Sequence, residues 1–463
     1  MLAVRLPPTH PITLSLDGSP IVAQRGEPVA AALVGAGHLN IARSPKFHRP
    51  RGPACMRGAC DGCLARVDDV PNVMTCLVPA EDGMRVVTQN RLGSRDADLL
   101  RMTDWFFPDG MNHHELFAGV PGVQTVMQAF ARRVAGLGKM PTSALPPREA
   151  ARREIAALVV GSGPAGMAIA IELAKRGVRP EIVDDALVPG GSLAALPGAA
   201  AAPWDELRRA FDAELRAGHA RLRTHTTAAA IYATDVLVAH AEGVEIVSPR
   251  VLVLACGAHD GVEPFEGNDL PGVMSARAAS LLLARGVLPG RRLVIVQTPG
   301  AGPFGAALAA ELDAHGEAFG VGKKRPAVHV LEGRLVRAKG SSRVSAAVVR
   351  TADGEQTVKC DALIVDAPRA PAYELASQAG ATLRHEPRGY VVETEGGRIR
   401  PGVYAVGELA GVPFEATAIA ADAARALASI VADVDALQSS TSAPNSAIPN
   451  ASATTSNAPS STK

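Results

Sequence analysis

An α/β fold of the doubly wound kind, with a smaller α+β domain ahead of it, is what three observations in this 463-residue sequence predict. The apolar run AALVV at 156–160 leads straight into Gly161, Gly163 and Gly166, a G-x-G-x-x-G turn that opens a helical stretch. A second turn of that spacing, Gly300, Gly302 and Gly305, follows the apolar run RLVIVQ (292–297). Ahead of both, Cys55, Cys60, Cys63 and Cys76 crowd between short alternating segments, although the whole chain has only 6 cysteines.

Composition bounds the possibilities. A single hydrophobic core seldom grows past ~250–300 residues, so 463 residues predict two or three domains. The chain is 47% hydrophobic with 45 glycines, the composition of an Ala/Val/Leu/Gly-rich soluble α/β protein. Lysine and arginine number 47 against 46 aspartates and glutamates, a net charge of +1. That balance supplies no long-range field for nucleic acid or an anionic membrane, and points to small-molecule or protein partners. No apolar run approaches the ~18–20 residues that span a bilayer, and prolines interrupt MLAVRLPPTHPITLSLDG where a signal peptide carries its apolar stretch. The expectation is a cytoplasmic protein without a transmembrane segment. In that reducing compartment, clustered cysteines read as metal ligands or redox groups rather than structural disulfides.

The elements follow in order. ITLSL, the turn Asp17-Gly18 and IVAQ read as a β-hairpin; GEPVAAALVGAGH reads as a short helix with Pro28 in its first turn. A basic stretch, RSPKFHRPRG, leads into the cysteines, and NVMTC (72–76) and MRVVT (84–88) read as strands. WFFPDGMNHHELF (105–117) gathers aromatics, GVQTVMQAFARRVAGLG reads as an amphipathic helix, and PTSALPPREAARRE as a proline-rich linker. The segment from 96 to 150 is therefore either a strap between domains or a contact surface for a further polypeptide. From Glu154 onward, strand, glycine turn, helix and a second strand ending in acid succeed one another. Further strands are predicted at VLVLACG (251–257), RLVIVQ, AVHVLEG (327–333), DALIVDAP (361–368) and GVYAVGELAG (402–411). EATAIAADAARALASIVADV reads as the closing helix, and the low-complexity residues 437–463 as a disordered tail.

The first glycine turn has the physical parts of a dinucleotide site. Gly161 makes the tight turn, Gly163 lets backbone approach a pyrophosphate, and Gly166 lets helix and strand pack closely. The helix N-terminus offers free amides and a positive dipole end. Asp184, 18 residues after Gly166, stands where an acid accepts from the adenosine ribose. The second turn admits two readings. Gly300, Gly302 and Gly305 precede a helix, and Glu332 ends the following strand, as in an NAD(H) site; yet Gln297, Thr298 and Pro299 lie between strand and first glycine. The alternative is a vestigial domain in which the glycines only shape a turn.

The cysteines spell C-x4-C-x2-C-x12-C, the plant-type spacing of a [2Fe–2S] cluster. Gly58, Ala59 and Gly62 between them are small enough for backbone amides to turn towards sulfur. Such hydrogen bonds, with Arg51 and Arg57 nearby, stabilise the reduced cluster's added negative charge. Structural zinc is the competing reading, but it more often uses two C-x2-C knuckles, and only one is present. Cys256 and Cys360 stand apart, over a hundred residues from each other, so dithiol chemistry is not expected; each reads as a small core residue. No acid/base pair presents itself as catalytic. His259, in CGAHD, reads as a turn residue with a general base as the alternative, and the adjacent His113 and His114 cannot easily share one metal ion.

The company of the first glycine turn resembles the two-dinucleotide flavoproteins, the pyridine nucleotide-disulfide oxidoreductases. PGGS at 189–192 resembles their segment along the flavin, VLVLACGAHD the strand and turn usually ending Ala-Thr-Gly, and VYAVGELAG the late motif whose acid binds the ribityl chain. The resemblance implies FAD as cofactor, with Gly190, Gly191, Gly257, Gly407 and Glu408 around it. Cys256 departs from the usual threonine and Glu408 from the commoner aspartate. The fold so implied is a two-dinucleotide-binding (Rossmann-like FAD and NAD-like) flavoprotein fold preceded by a β-grasp [2Fe–2S] ferredoxin-like domain. Its expected divisions are 1–95 for the ferredoxin-like domain, 96–150 for strap and linker, 151–270 and 361–436 for the FAD domain, and 271–360 for the NAD-like domain.

RSPKFHRPRGPACMRGACDGCLARVDDVPNVMTC, TQN at 88–90, DWFFPDG, VAGLGKMP at 134–141 and PFEGNDLPGVMSA at 264–276 together resemble the α subunits of heteromeric sarcosine oxidase and their relatives in hydrogen cyanide synthase, opine oxidase and D-hydroxyproline dehydrogenase. The likeness spans roughly 10–435. Sarcosine oxidase α chains lack the cluster cysteines and continue into a folate-linked region, so the expectation leans to the cyanide synthase and amino-acid dehydrogenase relatives. In that family a glycine-oxidase-like FAD β subunit oxidises the amine and the α chain passes electrons onward. The alternative is a self-sufficient NAD(P)H-dependent FAD/[2Fe–2S] reductase.

Overall fold

The computed structural model describes residues 4–104 (except 46 and 103), a few positions from 120 to 129, 149–320 (except 262) and 325–441. The readings made for the aromatic segment 105–117, His113 and His114, the amphipathic helix, most of the linker and the tail from 442 onward lie outside the described residues.

The alternation at the N-terminus gives β1 (Pro11–Leu16) and β2 (Ser19–Gln24), with Leu14, Leu16, Ile21 and Ala23 turned inward. Asp17 and Gly18 join them with φ of 50° and 84°, the left-handed pair that suits strand twist in a two-residue hairpin. Pro28, with φ −56°, caps α1 (Val29–Gly35), whose residues are all buried. β3 (Leu64–Val67), β4 (Val70–Met74) and β5 (Arg85–Val87) complete a five-stranded sheet of order β2-β1-β5-β3-β4, in which only the β1–β5 pair is parallel. One helix on a mixed sheet is the expected small α+β domain.

The next sheet is built around β6 (Ala151–Val160), flanked by α2 (Pro164–Lys175), β7 (Glu181–Val183), α3 (Asp205–Arg216) and β8 (Arg221–Arg223). β8, β7 and β6 run parallel, then β11 (Gly243–Leu254) follows beside β6. β11 is long enough to serve two neighbours. Its start pairs antiparallel with β10 (Asp235–His240), which pairs with β9 (Thr226–Tyr232); its end pairs parallel with Val403–Ala405. β6 begins at Ala151, inside the stretch read as linker, because Ala151–Ile155 find partners along Glu245–Pro249.

The following domain is a four-stranded parallel sheet of order β12-β18-β13-β14: β12 (Val273–Ser275), β13 (Arg292–Gln297), β14 (Ala327–Glu332) and β18 (Ala362–Asp366). α4 (Ala276–Leu283) and α5 (Phe304–His315) are its helices, and β15 (Arg334–Gly340), β16 (Val344–Thr351) and β17 (Gly354–Lys359) form an antiparallel sheet beside it. β18 lies between β12 and β13, so the chain returns to the first sheet after Asp366 and not at 361. It re-enters through β19 (Val403–Ala405) and closes with α6 (Ala416–Thr441), which continues past the 436 boundary read from the sequence. No helix among the described residues is long and apolar enough to cross a membrane.

The small domain is fastened to the NAD-like one. Val4 and Arg5 pair with Leu288 and Val287, Ser275 N donates to Ala54 O at 2.9 Å, and Arg51 forms an ion pair with Asp269. These ties bring the cysteine loop down onto the large sheet.

Candidate functional site

At the C-terminal end of β6 the three glycines occupy three different environments. Gly161 has φ +102°, and a Cβ there would lie 2.3 Å from Ala255 O. A Cβ on Gly166 would lie 2.0 Å from Gly161 O, so helix and turn touch. Gly163 is the opposite: φ is −68° and a Cβ would meet nothing within 4 Å. The missing side chain at 163 thus leaves room in a cleft, at the N-terminus of α2, where a dinucleotide's pyrophosphate is received. Gly191 closes against Gly163 Cα (3.0 Å from its would-be Cβ), and Gly190 N donates to Ser162 Oγ at 3.1 Å, so the PGGS segment lies along the same cleft.

Two adjacent acids end β7, and the structure separates them. Asp184 accepts from Ser162 N (2.7 Å), Ser162 Oγ (2.6 Å) and Ala186 N (2.9 Å), holding the glycine turn from beneath. Asp185 is the carboxylate left open along the cleft, and its pKa is raised, first by loss of water against the cleft walls and second by Asp184. The ribose role read for Asp184 is met by a side chain already engaged, and Asp185 offers the freer oxygens.

At the far end of the cleft the sequence reading missed Arg277 on the wall and Arg369 behind it. Arg277, 2% exposed, donates to Asp260 (2.6 Å), Ser192 Oγ (2.9 Å) and Ala258 O (2.9 Å); burial, then Arg57, brings it down to about 10. Arg369 donates to Ser192 Oγ at 3.0 Å and pairs with Glu408, while its guanidinium lies 4.8 Å from the Phe304 ring centre and 4.7 Å from that of Phe414. Trp204 stacks on Phe414 at 5.0 Å. Glu408 lines the cleft with its pKa raised by burial, Gly257 lies beneath it, and Gly407 N donates to Asp422 at 2.7 Å with φ +76°. A signal existed: Arg369 stands alone just beyond an apolar strand, and ligand groups of open α/β sheets sit at strand C-termini. Arg277, inside VMSARAAS, carried none.

The cysteine loop forms another wall of this cleft, through Arg57, Gly58 and Ala59. Its four thiols fall into two pairs. Cys55 Sγ lies 3.4 Å from Cys60 Sγ, and Cys63 hydrogen-bonds with Cys76. Two pairs suit two irons with two thiolates each. The donor set therefore fits a [2Fe–2S] group. Backbone amides already point at sulfur: Gly58 N to Cys76 (3.2 Å), Ala59 N to Cys55 (3.3 Å) and Arg57 N to Cys55 (3.4 Å). Positive φ at Met56 (55°) and Gly58 (74°) turns them inward, and a Cβ on Gly62 would lie 1.8 Å from Gly52 O. The hydrogen bond between Cys55 and Cys60 lowers the pKa of the Cys60 thiol and raises that of Cys55.

The second glycine turn is filled from within. Gly305 N donates to Asp366 Oδ2 at 2.6 Å, the Gly302 amide bonds the same carboxyl, and a Cβ on Gly305 would lie 3.0 Å from that oxygen. Gly300 takes φ +80°. Asp366 caps the N-terminus of α5 where a dinucleotide phosphate would otherwise sit. Glu332 ends β14 opposite Gln297, as its spacing suggested. Cys256 and Cys360 are both pushed up by burial to about 12, and His259 Nε2 meets Glu374 at 3.0 Å on the cleft's rim.

Residues 9–91 match the family model of the 2Fe-2S iron-sulfur cluster binding domain, and residues 156–335 that of pyridine nucleotide-disulphide oxidoreductase. The alpha subunit of sarcosine oxidase from Rhizobium meliloti (strain 1021) is 31% identical over 411 residues, 80% of this chain and 41% of that protein. The larger-coverage opine oxidase relative, from Agrobacterium tumefaciens (strain Ach5), is 28% identical, over 60% of this chain and 65% of its own. The HcnB component of hydrogen cyanide synthase from Pseudomonas protegens is 33% identical over 34% of this chain and 36% of its own length. The chain thus spans about two-fifths of the sarcosine oxidase subunits it matches. Among solved structures, L-proline dehydrogenase from P. horikoshii superposes with a TM-score of 0.66 at 19% identity, covering 95% of this chain and 76% of that one, which establishes the shared fold. Cleft, cysteine loop and these likenesses agree: the chain carries a segment matching the 2Fe-2S iron-sulfur cluster binding domain ahead of one matching pyridine nucleotide-disulphide oxidoreductase, and it is similar to subunits of sarcosine oxidase, opine oxidase and hydrogen cyanide synthase.

Proposed function

We propose that this chain is the electron-transfer subunit of a heteromeric amine or amino-acid oxidase or dehydrogenase acting in the cytoplasm on a sarcosine-, glycine-, proline- or opine-like substrate. In this reading the amine is oxidised on a glycine-oxidase-like FAD β subunit. The observation that carries the reading is that the cysteine loop is itself a wall of the dinucleotide cleft. When bound, FAD takes up electrons in pairs and the cluster carries them singly.

The chain's own residues serve that transfer. The glycine turn and Asp185 hold the nucleotide end; Arg277, Arg369 and Glu408 set the charge at the other; Cys55 and Cys60, and Cys63 and Cys76, hold the irons. Ser192, shared by two arginines, fixes their separation. The division into ferredoxin-like, FAD and NAD-like units is part of the same proposal, with the NAD-like unit serving as scaffold because Asp366 fills its glycine turn.

Anaerobic mixing tests this. The purified chain with NADH should keep its flavin absorbance; with the co-expressed β-type partner and its amine, the absorbance should bleach. Rapid bleaching by NADH alone would favour the self-sufficient NAD(P)H reductase and refute the proposal.

A further inference from the structure

We infer that the iron–sulfur domain completes the FAD site, with Arg57 as the cation it contributes to the cofactor's pyrophosphate; this rests on the placement of FAD in the cleft. The glycine turn supplies amides to the phosphates but no side-chain charge. The flavoprotein fold's arginine on this cleft, Arg277, is already committed to Asp260, Ser192 and Ala258 O, and Arg369 behind the wall to Ser192 and Glu408. Arg57, among the described residues, donates one side-chain hydrogen bond, to Ala258 O at 3.2 Å, and its side chain lines the cleft.

Its position points to the pyrophosphate. Arg57 lines the cleft together with Gly163, Asp185 and Glu408, and its guanidinium donates to Ala258 O, the acceptor it shares with Arg277. In a dinucleotide the pyrophosphate joins the adenosine ribose to the ribityl chain, so a cation on the wall that also holds the glycine turn and the acids of both ends stands beside the bridge. The loop that carries Arg57 is fixed independently: its backbone N donates to Cys55 Sγ, and Ala54 O receives Ser275 N from the neighbouring domain. A guanidinium held by such a backbone loses little freedom on meeting a phosphate, to which its planar fork is suited. A ligand that touches both domains also couples them, so FAD affinity senses the state of the cysteine loop.

The test uses the full-length chain. FAD and ADP, which both carry the pyrophosphate, are titrated and their Kd measured. Arg57→Gln should weaken both by roughly tenfold, ~1.4 kcal/mol, while iron content and the EPR signal of the reduced protein stay at wild-type levels; Arg57→Lys should recover most of the loss. Arg85→Gln, at an exposed pair with Asp69 on the same domain, should leave both Kd values unchanged. Wild-type affinity in Arg57→Gln with its cluster intact overturns the inference. Should glutamine disturb the cluster, the lysine variant decides: near-wild-type Kd supports the role, a glutamine-like Kd refutes it. A wild-type chain that holds its cluster but takes up no FAD overturns the cleft assignment itself, and the role of Arg57 falls with it.

Discussion

Asp366→Asn separates a buried charge from the hydrogen bond it makes. The aspartate is 4% exposed, accepts from Gly305 N and has its pKa raised to about 6 by burial, against the pull of the Gly305 and Gly302 amides and Arg369. A carboxyl with a folded-state pKa above its unfolded value binds more protons when folded. Its contribution to stability is therefore fully present below an unfolded pKa near 3.8 and is lost as pH rises through about 6. The whole difference corresponds to about 3 kcal/mol, of which about 1.4 kcal/mol is regained between pH 8 and pH 5. Asparagine keeps an oxygen for Gly305 and has no such dependence. Urea unfolding followed by intrinsic fluorescence should find the variant favoured at pH 8, with its advantage over wild type shrinking by about 1.4 kcal/mol at pH 5. A gap that does not change with pH means that Asp366 titrates as a solvated acid, and the argument that it occupies the second glycine turn fails.

Other substitutions act on the two cofactor sites. Gly163→Val should leave the unliganded protein as stable as wild type, because φ is ordinary and the Cβ meets nothing within 4 Å, yet FAD uptake should fall to background; full occupancy contradicts the pyrophosphate's place. Gly166→Ala, three residues on, should do the reverse of harmless: its Cβ lies 2.0 Å from Gly161 O, and calorimetry should show about 2 kcal/mol or more of destabilisation. Cys60→Ser should abolish the EPR signal of the reduced protein; an intact signal refutes the ligand set.

Legibility in the sequence follows from how local each feature's cause is. The hairpin at 11–24, the glycine turn at 161–166 and the cysteine spacing depend on neighbours in the chain, and each stands in the structure where the pattern placed it. Asp184 and Asp185 show the limit. Successive residues of an extended segment point to opposite sides, so two acids in a row leave the ribose partner undecided until Ser162 is seen to hold one of them. β18 shows another: LIV in DALIVDAP is as apolar as the strands of the first sheet, and only pairing with β12 and β13 assigns it to the second. β17, GEQTVK, is almost wholly exposed and carries no alternation to read. The charged groups that line the cleft, at positions 57, 184, 185, 260, 277, 374 and 408, meet only through three domains' packing.

The same packing accounts for how a disulfide-reductase-like fold works without a dithiol. Cys256, the thiol on the cleft wall, is pushed by burial to about 12 and has no second cysteine beside it, so it stays protonated and inert at neutral pH. What the cleft has in its place is the cysteine loop, with amides already directed at Cys55 and Cys76. Cys55, Cys63 and Cys76 are buried and Cys60 is not, so the loop opens to solvent at Cys60 and the exposed Asp61, while its Arg57–Ala59 side faces the cleft. Inner and outer faces of one eleven-residue stretch, 53–63, thus open onto different neighbours. Gly62 is what lets the two backbone runs of the loop touch, since any side chain there would collide with Gly52 O at 1.8 Å.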